Sequence, residues 1–123
     1  MKPPRLALVL LTDDAERLRG GLVLAMAHGA LGGEASLFLQ LDAVRLLGPA
    51  TDPPRDGDHR AAGLPSLADL IDEALGGGIA ITVCQTGLAL ANLDAGGIDP
   101  RIAIGGAVSF LQGIGGDDRL LVV

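Results

Sequence analysis

Cys84, the single cysteine of the chain, is the residue whose type and placement together point to covalent chemistry. An apolar run, Gly78-Ile79-Ala80-Ile81-Thr82-Val83, ends there and Gln85-Thr86-Gly87 opens a short helix. A thiol at the carboxyl end of a buried strand faces the free amides of the following helix, which stabilise the thiolate, the nucleophilic form. Gln85 and Thr86 add side-chain hydrogen-bonding groups beside it. No Lys, Arg or His lies within ten residues on either side, so an electropositive partner has to come from the fold. The plain alternative is a cysteine packed as a small buried hydrophobe. A lone cysteine excludes an internal disulfide and fits a reducing compartment, so a cytoplasmic location is expected.

The remaining reactive side chains are sparse. His59 and Arg60 stand in Asp56-Gly57-Asp58-His59-Arg60, which lacks a second histidine or thiolate at ligand spacing, so no metal site is expected. That stretch reads as solvated loop, with His59 or Arg60 reaching toward Cys84 as the functional alternative. His28 lies in an apolar run and reads as packing in a core or an interface. The glycine-rich stretches contain neither GxxxxGK[ST] nor GxGxxG after the first strand, and nucleotide binding is not supported.

A net charge of −6 repels phosphate backbones, and two phenylalanines with no Tyr or Trp leave no platform for stacked bases, so nucleic acid is excluded as a partner. No window reaches the ~20 apolar residues of a membrane span. The start of the chain, Met1-Lys2-Pro3-Pro4-Arg5 before an apolar run, imitates a signal peptide. The run is short, however, and Asp13-Asp14 occupy the place of a cleavage site, so a first buried strand is the better reading. With 123 residues, 1–123 is read as one domain.

The elements that position Cys84 follow from periodicity. Residues 5–11, apolar without a break from Leu6 to Leu11, read as a parallel strand covered on both faces. Asp13 is predicted to cap a helix over 14–31, with Glu16 completing a capping box. From Leu22 onward this helix is apolar nearly all round, more than one sheet can cover, which predicts contact with another subunit. Further strands are predicted at 35–39, 78–83, 101–104 and 119–123, with helices at 66–75, 87–93 and 107–112 and a helical or turn segment at 41–47. The segment 48–65, rich in Pro, Gly and charge, reads as a long loop. Alternating strands and helices imply a largely parallel α/β sheet with helices on both faces. Asp13, Gln40, Cys84 and Gly105-Gly106 then share its carboxyl edge, where such folds gather ligands and reactive groups.

Over nearly its whole length the chain resembles the DsrE/DsrF-like family of small sulfur-relay proteins, which includes the TusD-type carriers. The resemblance rests on the opening strand and long helix and on the 35–39 strand leading into Leu41-Asp42-Ala43-Val44-Arg45-Leu46-Leu47. It rests above all on Ile81-Thr82-Val83-Cys84-Gln85-Thr86-Gly87, with Ile104-Gly105-Gly106-Ala107 and the last strand closing the pattern. It implies a three-layer α/β/α domain with a five-stranded parallel sheet, assembled as homo-oligomeric trimers or hexamers. It further implies that Cys84 takes up sulfane sulfur as a persulfide and passes it from a donor to an acceptor protein, with no metal or organic cofactor. Some relatives carry a second cysteine where this chain has Gly87. Two other expectations remain open: a non-catalytic assembly or ligand-binding module with Cys84 structural, and redox sensing at Cys84.

Overall fold

Apolar runs and amphipathic segments alternate, and they fold as strands and helices in turn. The computed structural model describes residues 3–49 and 52–123. Along the chain run β1 (Leu6–Leu10), α1 (Ala15–Ala30), β2 (Ala35–Leu39), a 3-10 helix (Leu41–Leu47), α2 (Asp56–Ala61) and α3 (Leu67–Gly76). After them come β3 (Ala80–Cys84), α4 (Gln85–Leu90), β4 (Ala103–Gly105), α5 (Ala107–Gln112) and β5 (Arg119–Val122). Met1 and Lys2 of the leader-like start, and residues 50–51 of the 48–65 segment, lie outside the described residues.

The five strands form one sheet in the order β4-β3-β2-β1-β5, and every neighbouring pair is parallel. This is the three-layer α/β/α architecture expected. Leu8, Leu10, Leu37, Leu39, Ile81 and Val83 are buried in its centre, each side chain stabilising by about 1.5–3 kcal/mol relative to exposure. Leu18, Leu22 and Ala25 of α1 and Leu67, Leu70 and Ala74 of α3 close over them.

Chain direction across the sheet decides which face each helix covers. From β1 through β2 and β3 to β4 the chain steps one way, and only the β4–β5 crossover runs back. Right-handed crossovers therefore set α5 on the face opposite α1 and α3. That second face is thinly covered. No residue of α5 is buried, and its Phe110 ring stacks on Phe38 with centroids 5.0 Å apart.

Two local expectations are corrected. The cap of α1 is Asp14, not Asp13: the Asp14 carboxylate accepts the amides of Glu16 (2.9 Å) and Arg17 (3.4 Å). Glu16 then falls one position short of the capping-box site, which leaves its carboxylate for other partners. The 48–65 segment is not loop throughout, because α2 forms within it. No apolar periodicity announces α2, since none of its residues is buried. Smaller shifts occur at β3, which starts at Ala80, at α4, which starts directly after Cys84, and at β4, which starts at Ala103.

Candidate functional site

Cys84 is both the last residue of β3 and the N-cap of α4. Its sulfur accepts the Gly87 amide at 3.4 Å, a cap in which a thiol does the work usually given to Ser or Asp. The chain after β2 also approaches the sulfur, through the Leu41 amide. There Gln40 stays extended, its amide bonded to the Leu10 carbonyl at 2.9 Å, and Leu41 takes φ 52, a left-handed value few non-glycine residues adopt. Burial pushes the thiol up. The amides of Leu41, Gly87 and Thr86 and the Thr86 hydroxyl outweigh it and hold the thiol below its ordinary value.

Close packing keeps these amides in place. A Cβ on Gly87 would lie 2.5 Å from the Leu41 carbonyl oxygen and 2.9 Å from Val44 Cγ1, so only glycine lets α4 rest on the Leu41–Leu47 helix. Topology adds a second feature. The β3 and β4 crossovers run in opposite directions, so their loops part to opposite faces at the Cys84–Gly105 pair, the kind of crevice where α/β sheets place ligands. Cys84 itself is 6% exposed, while Gln85 and Thr86 beside it are exposed.

Asp13, Gln40 and Gly105-Gly106 follow or end β1, β2 and β4 on that same carboxyl edge. Of the groups picked from the sequence, Thr86 reaches the sulfur. Leu41 was missed, because its contribution is a backbone amide and its side-chain type carries no signal. His59 and Arg60 are engaged elsewhere. His59 Nε2 lies 3.0 Å from both carboxylate oxygens of Glu16 on α1. Arg60 pairs with Asp56 at 3.9 Å and lines a groove of about 580 Å³ between the end of the 3-10 helix and α3, which does not include Cys84.

The same region holds the buried Arg19. Its guanidinium bonds the Asp56 carboxylate, Glu16 at 3.1 Å and the Pro65 carbonyl at 3.2 Å. Burial pushes the Asp56 carboxyl up, but the Leu67 amide and the Arg19 guanidinium outweigh it and hold the group below the usual carboxylate value. His28 bonds the Pro4 carbonyl at 2.7 Å. Among the described residues no group of three His, Cys, Asp or Glu side chains is arranged to hold a metal ion. None of the helices described is long and apolar enough to cross a membrane.

The fold and site define a small, wholly parallel α/β domain with one thiol at the carboxyl edge. Solved structures share this fold. Protein MTH1491 from Methanobacterium thermoautotrophicum, described as of unknown function, matches with a TM-score of 0.72 at 14% identity, over 98% of this chain and 99% of that one. The ychN protein from E. coli matches with a TM-score of 0.72 at 18% identity, with the same coverage of 98% and 99%. BT1422 from Bacteroides thetaiotaomicron, a conserved protein of unknown function, gives 0.68 at 17% identity over 97% and 94%. At these identities the likeness establishes the fold alone. Comparison with protein-family models gives no match, and neither does comparison with curated proteins.

Proposed function

We propose that the protein is a sulfur carrier or sulfurtransferase that holds sulfane sulfur as a persulfide on Cys84. The supporting observation is the set of neutral donors around the thiol: the Leu41, Thr86 and Gly87 amides and the Thr86 hydroxyl, which favour the thiolate without a charged partner. In the reading, the Cys84 thiolate attacks the outer sulfur of a donor persulfide. The Cys84 Sγ–S bond forms, the donor S–S bond breaks, and the donor leaves as a thiolate while the transferred sulfur keeps its proton. An acceptor thiolate then attacks that outer sulfur and releases Cys84 as thiolate. The exchange is redox-neutral and draws on no metal or organic cofactor. Donor and acceptor are proteins that present a persulfide and a thiol, respectively, to the carboxyl edge, where Asp13, Gln40, Gln85 and Thr86 line the approach. The assembly is a homo-oligomer, trimer or hexamer, located in the cytoplasm; the exposed Val23, Leu24 and Leu31 of α1 and its C-cap support the oligomer.

One observation favours a second reading, a non-catalytic homo-oligomeric ligand-binding or assembly module. Cys84 packs with the hydrophobic core and is nearly covered. Mass spectrometry after incubation with a low-molecular-weight persulfide separates the two. The carrier reading requires one added sulfur in the native protein, none in Cys84→Ser, and its loss to an added thiol. A native protein that takes up no sulfur, and whose thiol reacts only after unfolding, decides for the structural reading.

A further inference from the structure

We infer that the open edge of β5 is a twofold contact between copies of this chain, with two β5 strands pairing antiparallel and joining two sheets into one. This supplies the twofold contact that the hexamer form of the homo-oligomer needs between its two halves, and it rests on that reading but on no chemistry at Cys84.

The backbone of β5 supplies the argument. β5 ends the strand order. Its inner side is fixed by the Arg119 and Val123 amides, which donate to the Arg5 and Val9 carbonyls at 2.9 Å each. Alternation along the strand then turns the N–H and C=O groups of Leu120 and Val122 to the outer edge. These two donors and two acceptors are symmetric about Leu121. A second copy laid antiparallel pairs Leu120 with the partner's Val122 and the reverse, giving four hydrogen bonds. The two Leu121 residues then meet at the dyad as a close, non-hydrogen-bonded pair. The strand is thus its own complement.

Among the described residues neither proline nor a bulge blunts this edge. Natural sheets guard open edges with proline, charge, bulges or very short strands. In β5 only Arg119 is charged, and Leu120, Leu121 and Val122 are 46%, 41% and 64% exposed. The opposite edge is different: β4 has 3 residues and runs into Gly105-Gly106. Apolar surface also continues from β5 onto α1. The Val123 side chain lies on the α1 side, against the position a Cβ of Gly21 would take, and by alternation Leu121 shares that face. A groove of about 620 Å³ runs there past Gly20, Gly21, Val23, Leu24 and Val123, with charged residues from the start of α1 and His59 also on its wall. A Cβ on Gly20 would meet nothing within 4 Å, so the groove has room for apolar side chains brought in across the dyad.

The test is the mass in solution of the full chain and of Leu121→Lys and Leu121→Glu, by sedimentation equilibrium at micromolar concentration. Like charges face each other at the dyad in either variant, so each is expected to dissociate at least about tenfold more readily than the parent. An equimolar mixture places Lys opposite Glu and is expected to recover the parent mass, which also shows that both variants fold. A parent chain that is only monomeric overturns this contact and the homo-oligomer reading together. An assembly of unchanged mass in both variants overturns the edge contact alone, as does loss of mass that mixing does not restore. Sulfur uptake at Cys84 is read separately and does not bear on the outcome.

Discussion

The two segments that carry the chain's chemically promising side chains are held by opposite means. Around Cys84 the groups are uncharged and closely packed: backbone amides, one hydroxyl, and a glycine seated on the Leu41–Leu47 helix. Around α2 almost nothing apolar is buried, and the helix is fixed by ions. Arg19 spans Glu16 and Asp56, His59 and Arg55 meet Glu16, and Asp56 also accepts the Leu67 amide at 2.9 Å. Charged side chains engaged in holding a helix are not free to serve the thiol. A thiol that lacks charged neighbours is tuned by the main chain instead.

The largest expected effect lies in the ionic region. Arg19→Met keeps the apolar stem but leaves the Asp56 carboxylate without its guanidinium, while Asp56 retains the Leu67 amide. A cost of about 3 kcal/mol is expected, the low end for breaking a buried pair. Urea unfolding reads the total, and hydrogen exchange is expected to accelerate first in residues 56–61. The pH profile of Cys84 alkylation should not move. A variant whose thiol profile shifts as much as its α2 exchange would show that the two regions are coupled and break the contrast.

Gly87→Ala strikes the other region. The added methyl meets the Leu41 carbonyl oxygen at 2.5 Å and Leu41 Cα at 3.0 Å, and these are backbone atoms that yield only if the 3-10 helix moves. Overpacking of this kind costs about 1–3 kcal/mol, partly offset by the better helix propensity of alanine. A net loss of about 2 kcal/mol is expected. Moving Leu41 also withdraws its amide from the sulfur, so the thiol should rise toward its ordinary value while α2 exchange stays as in the parent. Full stability with an unchanged alkylation profile would show that this packing does not hold the donors.

The contrast explains what could be read from the sequence. The edge strands β4 and β5, with no buried residue, were legible only as short apolar runs beside glycines. The inner strands were legible because buried parallel strands such as Leu6–Leu10 and Ala35–Leu39 are almost wholly apolar runs bounded by turn residues. The amphipathic α3, capped by Ser66 on the Asp69 amide at 3.1 Å, was legible for the same kind of reason. Helix α2 was not, because its stability comes from Arg19, which lies 37 residues away from Asp56 in the chain. Within the site, Cys84 and Thr86 were visible by type and place. Leu41 was not, since an amide is present at every non-proline position and only the turn after Gln40 brings this one to the sulfur.

Thr86→Val sharpens the account of the thiol with little effect on the fold, since Thr86 is exposed. It removes the one side-chain donor to the sulfur and leaves the amides of Leu41, Thr86 and Gly87. A hydrogen bond to a charged acceptor contributes about 1.5–3 kcal/mol, and the amides can reorient to recover part of it. Alkylation near pH 7 should slow severalfold, and the profile should shift to higher pH. An unmoved profile would assign the tuning to the amides alone.

The smallest effect is the pH dependence of stability that Cys84 contributes. Its thiol is held below the ordinary value in the folded protein, so between the folded and unfolded values the unfolded chain binds more protons. Stability must then rise with pH across that window, by at most about 1.4 kcal/mol per pH unit for one group. The contribution is fully present above the ordinary thiol value of about 8.5 and is lost as pH falls through the folded value. Cys84→Ala removes the titration but leaves a small cavity whose cost does not vary with pH. The informative quantity is therefore how the stability difference between parent and variant changes from pH 5 to pH 9, measured by urea unfolding under reducing conditions. A difference that grows in favour of the parent as pH rises agrees with a thiolate held by amides. A difference that shrinks would mean that burial, which pushes the thiol up, outweighs the donors, and the site would then be held by packing alone.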